Sequence, residues 1–271
     1  MGKVTSISIQ KGGPGKTTVC RNLGEEVSEA DFKVLLIDND PQGNLTKAIF
    51  GDDLPPDIMK ATEAVTSGTQ KVVPGMSNTY FLYEKDEMPE PHKVTESLYI
   101  IGATKHLAEM GTRSVDCVYE FKDKMEVLSE EFDHVFIDCP PVAGTLQTAA
   151  HGASDYLLIP TELNEDSIDG VKQQLESALA NKKRLNPVLD VLGILVNGKN
   201  SHKINIEEYY FETLKKLYGD LIFKSIITYS VKVSEARSFN KTVRRHAPTS
   251  FQAEQFVALT KEYLQRVVRG K

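Results

Sequence analysis

A glycine-rich loop near the N-terminus constrains the fold of this 271-residue chain more than any other feature. Residues 10–18 have the sequence QKGGPGKTT and lie between a β-rich segment, Val4–Ile9, and a segment with helical spacing of apolar residues, Thr17–Ala30. A glycine loop between a strand and a helix can surround phosphates with backbone N–H groups at the positive end of the helix dipole. The loop therefore predicts an α/β domain that binds a phosphorylated ligand.

The loop also predicts which residues touch that ligand. Glycines permit close approach of the backbone, a lysine can reach the β- and γ-phosphates of a nucleotide, and a threonine hydroxyl can bind Mg²⁺. The residues that we expect around the nucleotide are Gly12, Gly13, Gly15, Lys16, Thr17 and Thr18. Among them, Lys16 is predicted to act on the phosphates and Thr17 on the metal. The ordinary pattern of such loops has a glycine where Gln10 stands, and this chain has instead a second lysine, Lys11.

Short apolar runs and helical patterns alternate along the chain. Continuous apolar runs typical of buried parallel strands occur at 34–37, 134–137, 156–159 and 191–196, with a weaker one at 221–227. Helical spacing occurs at about 111–130, 165–184, 205–218 and 250–268. This alternation predicts an α/β fold: a single doubly wound domain over 1–271, with a mostly parallel sheet covered by helices on both faces. The acidic, proline-containing segment 51–97 is expected to be a surface excursion.

Three motifs together resemble the deviant P-loop proteins of the ParA/MinD superfamily, in the ParA branch. The segment KGGPGKTT matches the family's nucleotide loop, Asp38–Asn44 its second motif, and 135–141 its Mg²⁺-binding strand end. The three motifs occur in the family's order and spacing, and the resemblance extends over most of the chain. It implies an ATPase that forms an ATP-sandwiched homodimer, acts in plasmid or chromosome partition, and is stimulated by a ParB-type centromere-binding protein.

The resemblance also implies roles for individual residues. Lys11 is expected to reach the nucleotide of the partner, where a cation supplied in trans would stabilise the charge of phosphoryl transfer. Asp40 is expected to orient the attacking water, with Asp38 as a supporting charge, and Asp138 to hold Mg²⁺ through water. Asn197, which ends an apolar run, has two interpretations: a contact to the adenine edge or an ordinary turn asparagine.

Charge is distributed unevenly along the chain. The whole sequence carries −6, but residues 181–271 hold 17 Lys and Arg against 8 Asp and Glu, whereas residues 1–180 hold 15 against 30. The family binds DNA without sequence preference, and the residues that we expect to contact DNA phosphates within the basic region 224–245 are Lys232, Arg237, Lys241, Arg244 and Arg245. Arg237 stands where the family usually has proline. A solvated basic face is the alternative interpretation of this region.

The cysteines, the longest apolar runs and the N-terminal pattern indicate where the protein is located and whether it binds a membrane. Three separated cysteines without a CxxC pair fit a reducing compartment, no apolar run approaches the ~20 residues of a membrane span, and no signal-peptide pattern opens the sequence. We therefore expect a cytoplasmic protein without a membrane partner, and the DNA binding that the resemblance implies would make it nucleoid-associated. The alternative is a MinD-like membrane-cycling ATPase, in which the C-terminal segment would be a basic amphipathic anchor. The apolar spacing in 250–268 favours a helix that packs on the domain.

Overall fold

The computed structural model describes residues 1–59, 75–85, 88–113 and 115–269. Its strands, in chain order, are β1 (Lys3–Ile7), β2 (Val34–Asp38), β3 (His92–Lys93), β4 (Leu98–Ile101), β5 (His134–Asp138), β6 (Tyr156–Thr161), β7 (Asp190–Lys199) and β8 (Ile227–Thr228). They form one sheet in the order β3-β4-β2-β5-β1-β6-β7-β8. Every neighbouring pair in this sheet is parallel except β3 and β4.

The α-helices, in chain order, are α1 (Lys16–Ser28), α2 (Asn44–Phe50), α3 (Asp116–Glu131), α4 (Thr145–Ala153), α5 (Glu165–Arg184), α6 (Asn205–Tyr218), α7 (Val231–Ser238), α8 (Val243–His246) and α9 (Phe251–Arg269). Residues 56–59 are also helical. Segments of 3₁₀ helix cover Thr79–Tyr83, Lys105–Thr112 and Gly219–Leu221.

Helices cover both faces of the sheet. On one face, α1 and α9 pack against inward-facing residues of the central strands, such as Ile7 and Phe136. On the other face, α3 and α4 pack against Leu35 and Val135, while α5 and α6 cover β6 and β7. A parallel strand that is buried on both sides needs a continuous apolar run, which is the pattern that the sequence shows. The predicted doubly wound α/β fold is confirmed.

The long, strongly patterned elements lie where the sequence predicts them. Helices α5 and α6 have the predicted bounds, and α3 and α9 differ from them by a few residues. The elements that the pattern missed are short: β3, β4, α2, α4, α7 and α8. The weak apolar run at 221–227 is a strand only from Ile227, although Ile222 forms an isolated bridge with Ile194.

The expectation that segment 51–97 is a surface excursion is wrong for residues 76–83. Residues 76–83 are buried, because their aromatic side chains fill the space between the sheet and α3. The Tyr83 ring lies 4.7 Å from that of Phe121, and its hydroxyl donates to the side-chain oxygen of Asn39 at 2.7 Å. Residues 60–74, 86 and 87 lie outside the described part of the chain.

Helix α9 belongs to the core, as its spacing predicts. Phe256, Leu259, Tyr263 and Val267 are buried against the sheet and α1. These residues recur every three or four positions and therefore occupy one face of the helix. An amphipathic membrane anchor would need that apolar face free for lipid, so the packing of α9 does not support the membrane-cycling alternative. Within the described ranges, no helix combines the length and apolar character that crossing a membrane requires.

Candidate functional site

The predicted site residues meet at the carboxyl ends of the central parallel strands. Strand β5 lies between β2 and β1, and the register pairs Asp138 with Asp38 on one side and with Ile7 on the other. The glycine loop follows β1 directly and leads into α1. The sheet therefore brings the loop and the two acidic strand ends together at one edge, where ligands bind in open α/β sheets.

The loop has the backbone shape that a phosphate cradle requires. Gly13 and Gly15 have φ angles of 108° and 78°, which side-chain-bearing residues rarely adopt. A Cβ atom on Gly12 would meet nothing within 4 Å, and Gly12, Gly13 and Gly15 line a cavity of about 170 Å³. Asn197 braces the loop from β7, because its Nδ2 donates to the carbonyl of Pro14 at 2.8 Å. Its amide is therefore engaged with the loop, and a contact to adenine stays a prediction.

The donor set beneath the loop fits a nucleotide-bound Mg²⁺. Thr17 Oγ1 donates to Asp138 Oδ2 at 2.7 Å, whereas Asp138 Oδ1 is buried without a hydrogen-bond partner. Burial and the neighbouring Asp38 raise the pKa of Asp138 to about 8, which marks a position where a cation would be stabilising. Among the described residues, no cluster of three or more His, Cys, Asp or Glu could hold a metal alone. A metal here would thus take most of its ligands from phosphates and water, as Mg²⁺ commonly does.

Lys16 is a buried cation at the base of the cradle. Its Nζ donates to the carbonyl of Lys11, 3.1 Å away, and only 8% of the residue is exposed. Burial lowers the pKa of the Lys16 ammonium, and Asp138 is the main group that opposes this shift. An anionic ligand would favour the charged form of this side chain, which agrees with the predicted contact to phosphates.

The two aspartates of the second motif have different surroundings. Asp38 is fully buried and accepts hydrogen bonds from the backbone N–H and hydroxyl of Thr46, at 2.8 and 2.7 Å. Burial raises the pKa of Asp38 to about 6 in spite of these bonds. Asp40 instead faces the cavity formed by the loop, and its Oδ1 accepts from the backbone N–H of Gln42 at 2.9 Å. Asp40 is thus placed to contact a ligand, whereas Asp38 fixes the shape of the loop between β2 and α2.

Lys11 lies against the N-terminus of α5. Its Nζ donates to Asn164 Oδ1 at 2.9 Å and to Ser167 Oγ at 3.4 Å, and it lies 3.6 Å from the carboxylate of Asp166. Asn164 is the N-cap of the helix and also accepts from the backbone N–H of Ser167. The contact between Lys11 and this cap joins positions more than 150 residues apart, so only the fold shows it.

Two of the five predicted DNA-contacting residues form ion pairs with α1. Arg244 Nη1 lies 2.6 Å from the carboxylate of Glu26, and Arg245 Nε lies 2.5 Å from that of Glu25. Both arginines remain about half exposed, with side-chain exposures of 50% and 49%. They can still face a polyanion, but part of their charge is neutralised within the protein.

The other three predicted DNA contacts are on or just after α7. Lys232 pairs with Glu235 at 2.9 Å, while Lys241 is exposed and its side chain has no ion pair or hydrogen bond within the described ranges. Arg237 is different, because it lines the predicted nucleotide cavity together with the glycine loop. The predicted basic surface therefore divides into paired residues, one free lysine and an arginine at the nucleotide site.

A buried polar network behind the loop was missed by sequence reasoning. Gln147 on α4 donates to Ser8 at 2.7 Å and to Gln174 on α5 at 3.0 Å, and its oxygen lies 3.5 Å from the amide of Gln10. The network continues from Gln174 to His151 at 3.1 Å. A lone glutamine in a helix has no distinguishing pattern, so only the fold connects these residues.

Comparisons with known proteins agree with this geometry. A family model described as an AAA domain matches residues 2–191. The sporulation initiation inhibitor protein Soj of Bacillus subtilis is 31% identical over 97% of this chain and 98% of its own length. The chromosome partitioning protein ParA of Myxococcus xanthus is 29% identical over 98% of this chain and 89% of its own. Among solved structures, the ATP complex of a Cyanothece McdA variant has a similar fold, with a TM-score of 0.80 at 24% identity over 97% of this chain and 96% of that one.

Proposed function

Because this chain belongs to the ParA/Soj family of partition ATPases, we propose that it is a Mg²⁺-dependent ATPase of plasmid or chromosome partition. In this proposal it dimerises around ATP, binds DNA without sequence preference, and is stimulated by a ParB-type partner on the nucleoid. The observation that carries it is the convergence of Lys16, Thr17, Asp40 and Asp138 around one open phosphate cradle.

Different residues of the cradle would bind the phosphates, hold Mg²⁺ and position the attacking water. The backbone N–H groups of the glycine loop and the Lys16 ammonium would bind the phosphates, and Thr17 with Asp138 would hold Mg²⁺. Bound Mg²⁺ would neutralise charge on the β- and γ-phosphates. Asp40 would accept a proton or a hydrogen bond from the attacking water, since it lines the cavity and Asp38 does not.

Dimerisation requires Lys11 to change partners. In the single chain its ammonium is satisfied by Asn164, Ser167 and Asp166 of the same molecule. To reach the nucleotide of a second chain it has to leave these contacts, so formation of the ATP-bound dimer also frees the N-terminus of α5. ATP at the interface would favour the dimer by mass action, and its hydrolysis would weaken it.

DNA binding would use the exposed cations of the C-terminal basic region. The region lies next to α1, whose first turn forms part of the nucleotide site. A dimer would present two such surfaces, and the phosphate contacts of both would add. Binding should therefore be stronger with ATP than with ADP and should weaken steeply with salt.

The proposal is tested by measuring ATP turnover with and without DNA, and DNA affinity in ADP and in ATP at two salt concentrations. With the Asp40→Ala variant we expect retained ATP binding and a turnover lowered about 100-fold or more, because a positioned base contributes at least that factor. Asp123→Ala, which removes an exposed carboxylate on α3, is the matched control and should turn over like wild type.

Two results would contradict the proposal. Equal DNA affinity with ADP and with ATP would reject nucleotide-controlled DNA binding. Full turnover by Asp40→Ala would show that another group positions the water.

A further inference from the structure

Arg237 lies in the nucleotide cavity although its position in the sequence suggests a DNA contact. It lines a cavity of about 170 Å³ together with Gly12, Lys16, Thr17 and Asp40. It also lines a second, smaller cavity together with Thr18, Arg21 and Asn22 of α1. The side chain thus stands where the phosphate end of a bound nucleotide would meet the first turn of α1.

The guanidinium of Arg237 has no ion pair or side-chain hydrogen bond within the described residues. The nearest acid on its own helix, Glu235, is already engaged by Lys232 at 2.9 Å and by His246 at 3.3 Å. An exposed arginine with free donors keeps its full charge and all of its N–H groups for a ligand.

The backbone that carries Arg237 is fixed to the helix of the nucleotide loop. Arg21 on α1 donates to the carbonyl of Asn240, 2.8 Å away, just after α7. The backbone N–H of Val243 donates to Asn22 Oδ1 at 2.8 Å, and Thr242 donates to a carboxylate on α1 at the same distance. These contacts hold the end of α7 against α1, so the reach of the arginine toward the loop is preorganised.

The charge of the cavity favours an additional cation. Among the residues lining it, Lys16 and Arg237 are the cations, while Lys11 is turned toward α5. A nucleoside triphosphate brings several negative charges, and a planar guanidinium can bind two phosphate oxygens at once. Arg237 supplies such a group from the same chain, without a partner subunit.

Given the ATPase proposed above, on which this assignment rests, we infer that Arg237 binds the phosphates of the nucleotide in cis and is a nucleotide-binding residue rather than a DNA contact. Its free guanidinium, its place in the cavity and the clamp between α1 and α7 are the three observations that carry the assignment.

The test compares Arg237→Ala and Arg237→Lys with wild type by calorimetric titration of ATP and of ADP in the presence of Mg²⁺. We expect Arg237→Ala to weaken both affinities about 10- to 100-fold, the effect of losing charge-assisted hydrogen bonds, and Arg237→Lys to lie between it and wild type. Lys261→Ala removes an exposed cation on α9 that does not line this cavity, and it should leave both affinities unchanged.

A parallel measurement of DNA affinity at saturating ATP shows whether Arg237 acts in the nucleotide cavity or on the predicted DNA surface. Unchanged ATP and ADP affinities in Arg237→Ala would overturn the assignment, and a simultaneous loss of DNA affinity would place the residue on the DNA surface instead. If wild type itself bound no nucleotide, the proposed ATPase would fail. If wild type bound ATP and Arg237→Ala bound it equally well, only the assignment of this arginine would fail.

Discussion

Tyr263 provides a direct test of whether α9 is part of the folded core or a detachable segment. The side chain is fully buried, and its hydroxyl lies 3.1 Å from Thr5 Oγ1 on β1 and 3.1 Å from His134 Nδ1 on β5. Its ring also packs at 5.2 Å from that of Phe136. One residue of α9 thus contacts two central strands, both by packing and by hydrogen bonds.

The two contributions can be separated by two substitutions. Tyr263→Phe keeps the ring but leaves Thr5 and His134 without this partner, which should lower the free energy of unfolding by about 1–3 kcal/mol. Tyr263→Ala also removes the ring, and a buried aromatic side chain replaced by alanine costs a further ~3–5 kcal/mol. Together the two costs come to about 4–8 kcal/mol, a large part of the ~5–15 kcal/mol by which domains are stable, so Tyr263→Ala should unfold at a much lower urea concentration than wild type.

The measurement is urea unfolding followed by circular dichroism, together with sedimentation with liposomes. Val268→Ala is the matched control, because Val268 lies on the same helix with 69% exposure and should change stability by less than about 0.5 kcal/mol. Wild-type stability in both Tyr263 variants would refute the assignment of α9 to the core. Sedimentation of wild type with liposomes would revive the membrane-cycling alternative.

Two further predictions concern stability. Burial lowers the pKa of His134 and His151 to about 4, so below pH ~6.5 the unfolded chain binds protons that the folded chain does not. Between pH ~6.5 and ~4, each histidine should therefore lower the free energy of unfolding by about 1.4 kcal/mol per pH unit. In urea titrations at several pH values, His151→Gln should reduce this slope. Gly193 has a φ of 154°, and a Cβ atom there would lie 2.5 Å from the carbonyl oxygen of Leu221, so Gly193→Ala should destabilise the fold by about 1–3 kcal/mol or more. Gly111→Ala is the control, because a Cβ atom there would meet nothing within 4 Å, and it should melt near the wild-type temperature. Equal melting temperatures for the two variants would contradict the steric argument.

The sequence predicts the core of the site because each part is a local pattern at the end of a strand. Asp38 and Asp138 follow apolar runs, and the glycine loop follows β1. A parallel sheet brings the carboxyl ends of its strands to one edge, so local patterns suffice to place these groups together. The 3.6-residue period likewise predicts the long helices, since one apolar stripe must face the sheet.

Side-chain partners could not be predicted in this way, because they depend on contacts between distant parts of the chain. Arg244 pairs with Glu26 across 218 positions, and Arg21 reaches Asn240 across 219. Within 224–245 a basic residue that faces solvent, one that pairs with α1 and one that lines the nucleotide cavity look alike in sequence. Arg237 was accordingly expected on the DNA surface, and the fold places it beside the glycine loop.

Helix α1 physically connects the nucleotide site with the predicted DNA surface. Its first turn carries Lys16 and Thr17, and its later turns hold Arg244 and Arg245 through carboxylates. Some of the excess carboxylates of residues 1–180 therefore form ion pairs with arginines of the basic region. Any displacement of α1 relative to α8 would change how much positive charge the predicted DNA surface presents, and α1 begins at the loop that is proposed to bind phosphates. The same helix thus contacts both the loop predicted to bind phosphates and the arginines predicted to contact DNA.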